Sequence, residues 1–203
     1  MSDLETEVKI YVTNLDELKH HIQNKGGQLV QERVHERNIR YDLDDRSLTR
    51  RGIVIRLRHD NSVKLTYKEP GTIERGIVTR QELEVEVSDF DTMEKILNKF
   101  GYQDAMLYEK HRTVYACHNT HIMFDELPYG HFIEVEGRSE DIEVVLEELG
   151  LHNANRLAAS YSKLFDYVKH HLELKFRDLT FENFEDIDVP ISAFTAPGSI
   201  VIR

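Results

Sequence analysis

Near its start the chain alternates charged and uncharged residues, and this alternation limits the folds that are open to it. In a β-strand, the segment 5–9 places Glu5, Glu7 and Lys9 on one face and Thr6 and Val8 on the other. The same two-residue period returns in later segments, some of which carry mainly basic and others mainly acidic residues. The sequence therefore predicts a β-rich protein whose sheet has one charged face.

Eight strands and four helices are predicted from this alternation and from helix-capping signals. Asn14 and Glu17 have the spacing of a capping box, and Gly26-Gly27 is a stop signal for the first helix. The helices are expected at 14–25, 91–100, 139–149 and 155–171. The strands are expected at 4–12, 28–43, 53–60, 62–69, 78–87, 106–117, 120–126 and 131–137. Because most connections are short, we expect an antiparallel sheet that curls or closes, with helices outside.

Composition and charge exclude several classes of protein. The chain has 203 residues, of which 31% are charged and 40% apolar, as is typical of a globular protein. Its formal net charge of −11 argues against a nucleic-acid partner, since a surface that binds duplexes is normally basic. No segment approaches the roughly 20 apolar residues that span a bilayer, so no membrane partner is expected. The single cysteine, Cys117, excludes an internal disulfide and predicts a cytoplasmic location.

The charged strand faces allow two arrangements. In the first, they meet water, and periodicity alone favours this arrangement because solvated charged faces are common. In the second, helices cover the apolar outer face and the charges line a closed barrel. Two observations favour the second arrangement: the helices need an apolar face to cover, and the strands carry charges in blocks of one sign. Such an interior would suit a polyanion on its basic residues and a hard divalent cation on its carboxylates.

A series of motifs along the chain resembles a known family. The first motif is Glu5-x-Glu7-x-Lys9. It is followed by Arg56-Leu57-Arg58, residues 65–71 (LTYKEPG), residues 80–84 (RQELE), Lys110-His111-Arg112, Phe124-Asp125, residues 129–137 (YGHFIEVEG) and residues 160–164 (SYSKL). In this order they resemble the CYTH superfamily, the triphosphate tunnel metalloenzymes, which includes class IV adenylyl cyclases and thiamine triphosphatases. One short motif arises easily by chance, but the ordered series makes the resemblance specific from residue 5 to about residue 165.

The resemblance implies an α+β fold, an eight-stranded antiparallel β-barrel that forms a triphosphate tunnel with helices packed outside. The tunnel domain is expected to span 1–171. A tail of unknown role, 172–203, follows it and ends in a short β-like segment, 199–203. We expect this tail either to pack along the sheet or to exchange with a partner chain, and a homodimer is therefore one expectation.

The resemblance also implies the residues of the site. The candidate catalytic residues are Glu5, Glu7 and Lys9. The expected ligands of Mg²⁺ or Mn²⁺ are Glu5, Glu7, Asp125, Glu134 and Glu136. The residues expected to bind a small-molecule triphosphate are Lys9, Arg40, Arg56, Arg58, Lys64, Lys68, Arg80, Lys110, Arg112 and Lys163, with Glu82 and Glu84 as secondary carboxylates of the wall.

Three functions are compatible with such a site. We expect a metal-dependent phosphohydrolase of inorganic triphosphate, thiamine triphosphate or nucleoside triphosphates. The alternative is an adenylyl cyclase that forms cyclic AMP and pyrophosphate from ATP. Cyclisation also needs an adenine pocket, for which the sequence shows no motif, and the intact Arg56-x-Arg58 pair resembles the hydrolytic branch more closely. A module that binds polyphosphate or nucleotides without catalysis is the third interpretation.

The remaining residues of metal-binding type carry less information. Cys117 has no Cys/His partner pattern in the sequence and is predicted to be a core residue. His111, His118, His121 and His131 lie near the late strands, where the family motifs place carboxylates. We therefore expect no histidine ligands. For Tyr161 two roles are open, contact with the tunnel and packing, and packing is favoured.

Overall fold

The computed structural model describes residues 3–195, and this part of the chain forms nine β-strands and five α-helices. The strands are β1 (Leu4–Val12), β2 (Gln28–Asp42), β3 (Val54–His59), β4 (Val63–Lys68), β5 (Thr72–Glu74), β6 (Ile77–Val87), β7 (Gln103–Cys117), β8 (Thr120–Leu127) and β9 (Gly130–Glu136). The helices are α1 (Leu15–Asn24), α2 (Ser47–Arg50), α3 (Phe90–Lys99), α4 (Ser139–Glu148) and α5 (Tyr161–Leu172). No helix in this described part is long and apolar enough to cross a membrane.

Eight of the described strands close into a ring in which neighbouring strands are antiparallel. The order is β1-β9-β8-β7-β2-β3-β4-β6, and β6 returns to β1 through pairs that run from Leu4↔Gln81 to Glu7↔Val78. The short strand β5 pairs with the first residues of β6 and is not part of the ring. The predicted fold is therefore confirmed: an α+β protein with an antiparallel ring of eight strands and helices outside.

The register of the ring puts the charged faces inside. Residues that lie opposite each other on paired strands share a face of the sheet, and Lys9 of β1 lies opposite Glu134 of β9. On the outer face, Val8 and Ile10 of β1 pack with Ile142 of α4 in a core cluster that also includes residues of α1. Helix α3 covers Leu57 and its neighbours on β2 and β3. Of the two arrangements that the sequence allowed, the structure has the one with charges inside.

Helix α5 begins at Tyr161, six residues later than predicted. Arg156 forms an isolated bridge with Ile10, and the backbone N–H of Leu157 donates to the carbonyl of Lys9 at 2.8 Å. These bonds hold the segment before α5 extended along β1. Ser160 then caps the helix, because its side chain accepts a hydrogen bond from the N–H of Lys163. The short elements α2 and β5 were not predicted, since neither is long enough to display a period.

Aromatic side chains pack in the barrel interior where β1 ends and β9 begins, and we call them the apolar plug: Tyr11, Tyr129, Phe132, Tyr161 and Phe194. Phe132 is fully buried, and its ring lies between 5.3 and 5.6 Å, centroid to centroid, from the other four rings. Tyr161 comes from α5. Phe194 comes from a 3₁₀ turn (Ile191–Phe194) in the tail.

The described part of the tail packs along the sheet, which is one of its two predicted arrangements. The N–H of Leu179 donates to the carbonyl of Leu107, and the N–H of Glu109 donates to the carbonyl of Leu179, both at 2.9 Å. These bonds attach the tail to strand β7 before it reaches the plug. The predicted β-like segment 199–203 lies outside the described residues.

Candidate functional site

The inner faces of the strands enclose a cavity of about 340 Å³ that lies next to the apolar plug. Its lining among the described residues includes eight cationic side chains and six carboxylates. These are Lys9, Arg40, Arg56, Arg58, Lys68, Arg80, Lys110 and Arg112, together with Glu5, Glu7, Glu82, Glu84, Glu134 and Glu136. All fourteen were predicted as site residues, and the structure brings them together around one space. The other three predicted residues, Lys64, Asp125 and Lys163, do not line this cavity.

Glu5, Glu7, Glu134 and Glu136, which we call the carboxylate wall, come from the adjacent strands β1 and β9. The register places Glu7 opposite Glu136, so the carboxylates of the two strands crowd together. Burial and the charge of Glu134 raise the pKa of Glu7, and burial with the charges of Glu5 and Glu7 raises the pKa of Glu136. Such shifts are the mark of like charges held close in a poorly solvated site. A cation in the cavity would relieve this repulsion.

Cationic side chains partly neutralise the carboxylate wall. Glu5 accepts hydrogen bonds from Lys68 Nζ and Arg80 Nε, both at 2.8 Å, and Arg80 Nη2 donates to Glu7 at 2.7 Å. Burial alone would raise the pKa of Glu5, but the charges of Lys68 and Arg80 outweigh it and lower this pKa to about 2. Lys9 Nζ lies 3.1 Å from Glu134. The wall is therefore ionised in part and held by residues that an anionic ligand could attract.

Strands β2 and β3 supply a group of arginines, the arginine wall, formed by Arg40, Arg56 and Arg58. Arg56 donates to the hydroxyl of Tyr108 at 3.3 Å and to Thr66 Oγ1 at 3.1 Å. Burial would raise the pKa of Tyr108, but Arg56 and Lys110 outweigh it and lower this pKa. Glu84 lies 3.6 Å from Arg56 and 3.4 Å from Arg58, so the arginine wall is partly paired. Guanidinium groups suit phosphate oxygens, which they bind bidentately.

Asp125 lies at the boundary between the cavity and the apolar plug. It is fully buried and accepts hydrogen bonds from Lys110 Nζ at 3.0 Å and from Arg112 Nε and Nη2 at 2.7 and 2.6 Å. The Tyr161 hydroxyl, on the plug side, donates to the same carboxylate at 2.7 Å. Both oxygens therefore already have partners, and the side chain connects two cations of the cavity to the first residue of α5.

Lys64 and Lys163, also predicted to bind phosphate, have other neighbours. Lys64 Nζ lies 3.2 Å from Glu84, with 34% of its side chain exposed. Lys163 Nζ lies 5.3 Å from the centroid of the Tyr167 ring on the same helix. The late helical motif instead brings Ser160, Tyr161 and Ser162 to the cavity, and Ser162 accepts a hydrogen bond from Arg40.

Some residues of the site were missed by the sequence analysis. Glu36 is 1% exposed, and its carboxylate lies 3.5 Å from Lys110 Nζ. Burial would raise the pKa of Glu36, but the charges of Lys110 and Arg112 outweigh it and lower this pKa to about 2. Glu36 lies four residues before Arg40 on β2, and Tyr108 lies two residues before Lys110 on β7. The two-residue period could therefore have predicted both on the inner face of the sheet. Ser160 and Ser162 had no such signal, because they lie at the start of a helix.

Comparison with known proteins identifies the family. The model of the CYTH domain matches residues 3–161. The chain belongs to the CYTH domain family. CYTH proteins are enzymes of triphosphate chemistry, either triphosphatases or similar to adenylyl cyclases.

One curated relative and two solved structures are similar to this chain. A protein of Methanocaldococcus jannaschii, provisionally named an adenylate cyclase, is 26% identical over 151 residues, which are 72% of this chain and 85% of the relative. A Vibrio parahaemolyticus structure with a similar provisional name has a TM-score of 0.73 at 22% identity and covers 82% of this chain and 99% of its own. A Hippeastrum protein, first assigned as an adenylyl cyclase and described as having a dominant triphosphatase activity, has a TM-score of 0.60 at 16% identity, covering 80% and 95%.

Proposed function

We propose that this CYTH protein is a divalent-metal-dependent phosphohydrolase that acts on inorganic or organic triphosphates. The observation that supports this most is the meeting of a carboxylate wall and an excess of cationic side chains around one cavity of about 340 Å³. A polyanion alone would satisfy only the cations. A divalent cation alone would satisfy only the carboxylates. A metal–triphosphate complex matches both sets at once.

The carboxylate wall fits Mg²⁺ or Mn²⁺. Glu5, Glu7, Glu134 and Glu136 offer only oxygen donors, which these hard cations prefer. The raised pKa values of Glu7 and Glu136 indicate a site with too much negative charge when no cation is bound. When bound, the cation would supply Lewis-acid chemistry: it would neutralise phosphoryl oxygens and favour ionisation of a water molecule.

The cationic side chains of the cavity would bind the substrate by exchanging partners. Lys68 and Arg80 donate hydrogen bonds to Glu5. Phosphate oxygens would replace the carboxylate oxygens at these donors as the carboxylates turn to the cation. Arg56 and Arg58 face the same space from the arginine wall and would hold the chain of phosphates in a fixed orientation.

The reaction itself would be an in-line displacement at the terminal phosphorus. A water oxygen forms the new P–O bond and its proton passes to solvent, while the bridging P–O bond breaks and leaves its electron pair on the departing oxygen. Lys9 and Arg80, fixed beside the carboxylate wall, would stabilise the charge on the leaving group. We assign Asp125 a positioning role, because it is fully buried outside the cavity lining and accepts hydrogen bonds from Lys110, Arg112 and Tyr161.

The cavity lining favours hydrolysis over cyclisation. Cyclisation needs the ribose and adenine held beside the phosphates, and the described lining consists mainly of charged and hydroxyl side chains, with Val54, Met123 and Ala158 as small apolar contributions. The triphosphatase activity described for the Hippeastrum protein of the same fold agrees with this choice. Cyclase activity is the second candidate, because the Methanocaldococcus and Vibrio relatives carry that provisional name.

The test is ³¹P NMR of the purified protein with Mg²⁺ or Mn²⁺, given inorganic triphosphate and, in separate samples, thiamine triphosphate and ATP. We expect orthophosphate from at least one of these triphosphates, and no turnover after chelation of the metal. Pyrophosphate and cyclic AMP from ATP would assign the protein to the cyclases instead. Tight binding without turnover of any of the three would make it a binding module.

A matched pair of variants connects the activity to the cavity. Glu5→Gln removes one charge of the carboxylate wall with little change in volume. Glu86→Gln makes the same change on β6 at an exposed residue that does not line the cavity. We expect loss of turnover in the first variant and full turnover in the second. Equal rates in the two variants would refute the assignment of the cavity as the active site.

A further inference from the structure

A second cluster of ligand-type side chains lies at the hairpin that joins β7 to β8. Cys117 is the last residue of β7, His118 is the first residue of the turn, and Glu148 is the last residue of α4. The Cys117 thiol, a ring nitrogen of His118 and a carboxylate oxygen of Glu148 all lie within 4.8 Å of one another. Because Glu148 is distant in sequence, no Cys/His spacing pattern revealed this cluster.

The fold brings the three side chains together for identifiable reasons. His118 and Asn119 both have positive φ, 48° and 57°, as the tight two-residue turn between the strands requires. Thr120 Oγ1 donates to the carbonyl of Cys117 at 2.6 Å and fixes the start of β8. Cys117 belongs to the same core cluster as Val145 and Leu149, so the end of α4 packs directly on the hairpin.

The cluster has the access and the chemistry of a metal site. Cys117 is buried, whereas His118 and Glu148 keep 42% and 26% of their side chains exposed, and His118 Nε2 lies 2.9 Å from Glu148 Oε2. In a tetrahedral Zn²⁺ site, neighbouring ligand atoms lie about 3.5 Å apart, given bond lengths of about 2.0–2.3 Å. Small rotations of the two exposed side chains would reach that geometry.

We propose that Cys117, His118 and Glu148 form a Zn²⁺ site that joins the β7–β8 hairpin to the end of α4. Thiolate and imidazole ligands select Zn²⁺ over Mg²⁺ and Mn²⁺, which prefer oxygen. Three protein ligands leave the fourth position to water. This site is separate from the cavity, since Arg112 precedes Cys117 by five strand residues, a distance of about 16 Å.

Co²⁺ is the probe that distinguishes this site from the cavity. Co²⁺ bound to a thiolate gives a charge-transfer absorption band in the near ultraviolet, whereas Co²⁺ on the oxygen ligands of the cavity gives none. We expect one equivalent of Co²⁺ to produce this band in the reduced, chelator-treated full chain, and Zn²⁺ but not Mg²⁺ to displace it. Zn²⁺ at a hundredfold excess over Kd should raise Tm by about 5–10 °C.

Four variants locate the ligands. Cys117→Ser should abolish the band, and His118→Asn and Glu148→Gln should each weaken Co²⁺ binding at least tenfold. His121→Asn, an exposed histidine outside the cluster, should leave it unchanged. Absence of the band in the wild-type chain at a tenfold excess of Co²⁺ would overturn the proposal. A band whose affinity does not change in His118→Asn and Glu148→Gln would overturn it as well, even if Cys117→Ser did not fold.

Discussion

Strand β9 contributes to both halves of the barrel interior. Glu134 and Glu136 face the cavity, while Phe132, two residues earlier on the same face, is fully buried in the apolar plug. Burying a large apolar side chain stabilises the fold by about 1.5–3 kcal/mol, whereas a buried ion pair contributes little, because desolvation offsets its attraction. The plug therefore stabilises the barrel, and the charged half keeps groups that are useful mainly to a ligand.

The largest expected effect comes from the plug. Phe132→Ala should lower the free energy of unfolding by about 3–5 kcal/mol, because it leaves a cavity among four aromatic rings. Urea denaturation measures this change. Phe100→Ala, at a 73% exposed residue of the chain, is the control and should change it by less than about 0.5 kcal/mol. Equal urea midpoints for the two variants would show that the plug does not stabilise the fold.

Glu136→Gln should reduce activity without reducing stability, in contrast to Phe132→Ala. It removes one of the crowded carboxylates, so we expect kcat/KM to fall about a hundredfold to a thousandfold, while the ligand-free protein keeps or gains stability. Steady-state kinetics and thermal unfolding of the same sample test both parts. Glu140→Gln, on a 68% exposed side chain of α4, should change neither quantity. A loss of stability equal to that of Phe132→Ala would show that the charged half stabilises the fold as much as the plug does.

The charged half should also make stability depend on pH. Burial and the neighbouring Glu5 raise the pKa of Glu82 from 4.5 to about 7 in spite of Lys68, so the folded protein binds this proton more tightly than the unfolded chain does. The contribution is complete below pH 4.5 and is lost as the pH rises to about 7. After discounting for partial exposure, we expect a loss of about 2 kcal/mol without metal.

Urea denaturation at several pH values measures this loss. Glu82→Gln should flatten the slope between pH 4.5 and 7, since no proton is then exchanged at this residue. A slope that persists unchanged in the variant would place the linked proton on another group. The plug variant Phe132→Ala should shift the whole curve down without altering its shape.

The smallest effect is expected on the outer face of β6. Leu83 alternates with Glu82 and Glu84, points away from the cavity and is 46% exposed. Leu83→Ser should change stability by less than about 0.5 kcal/mol and leave turnover unchanged. Differential scanning calorimetry and the ³¹P assay test this. A large loss in either would mean that the outer face has a function comparable to that of the inner one.

The sequence predicted the strands and their charged faces well, because alternation reports which residues share a face. Alternation does not indicate how far along the barrel axis a residue lies. Asp125 has the same alternation as Met123, which lines the cavity, but it lies one step further in, beneath Lys110 and Arg112. Asp125 is buried outside the cavity lining, whereas Glu134 lines the cavity. This difference depends on strand register and on Tyr161 of α5, and no local sequence pattern predicts either.

The plug could not be predicted for a related reason. Phe194 reaches Phe132 from the tail, more than sixty residues later in the chain, and no periodic pattern marks that contact. The ion pairs between β1 and β6, such as Glu5 with Arg80, follow from ring closure, which short connections suggested but did not specify. The Cys117 cluster depends in the same way on where α4 ends.

The position of the plug limits where a ligand can enter and leave the cavity. The rings of Tyr11, Phe132 and Phe194 pack 5.1–5.6 Å apart, centroid to centroid, so we expect a ligand to enter and leave by the end of the cavity away from them. The two products of a cleavage would then leave by the opening through which the next substrate enters. Product inhibition would therefore be competitive. A long phosphate polymer could present only its terminus, so it would be shortened from the end and never threaded.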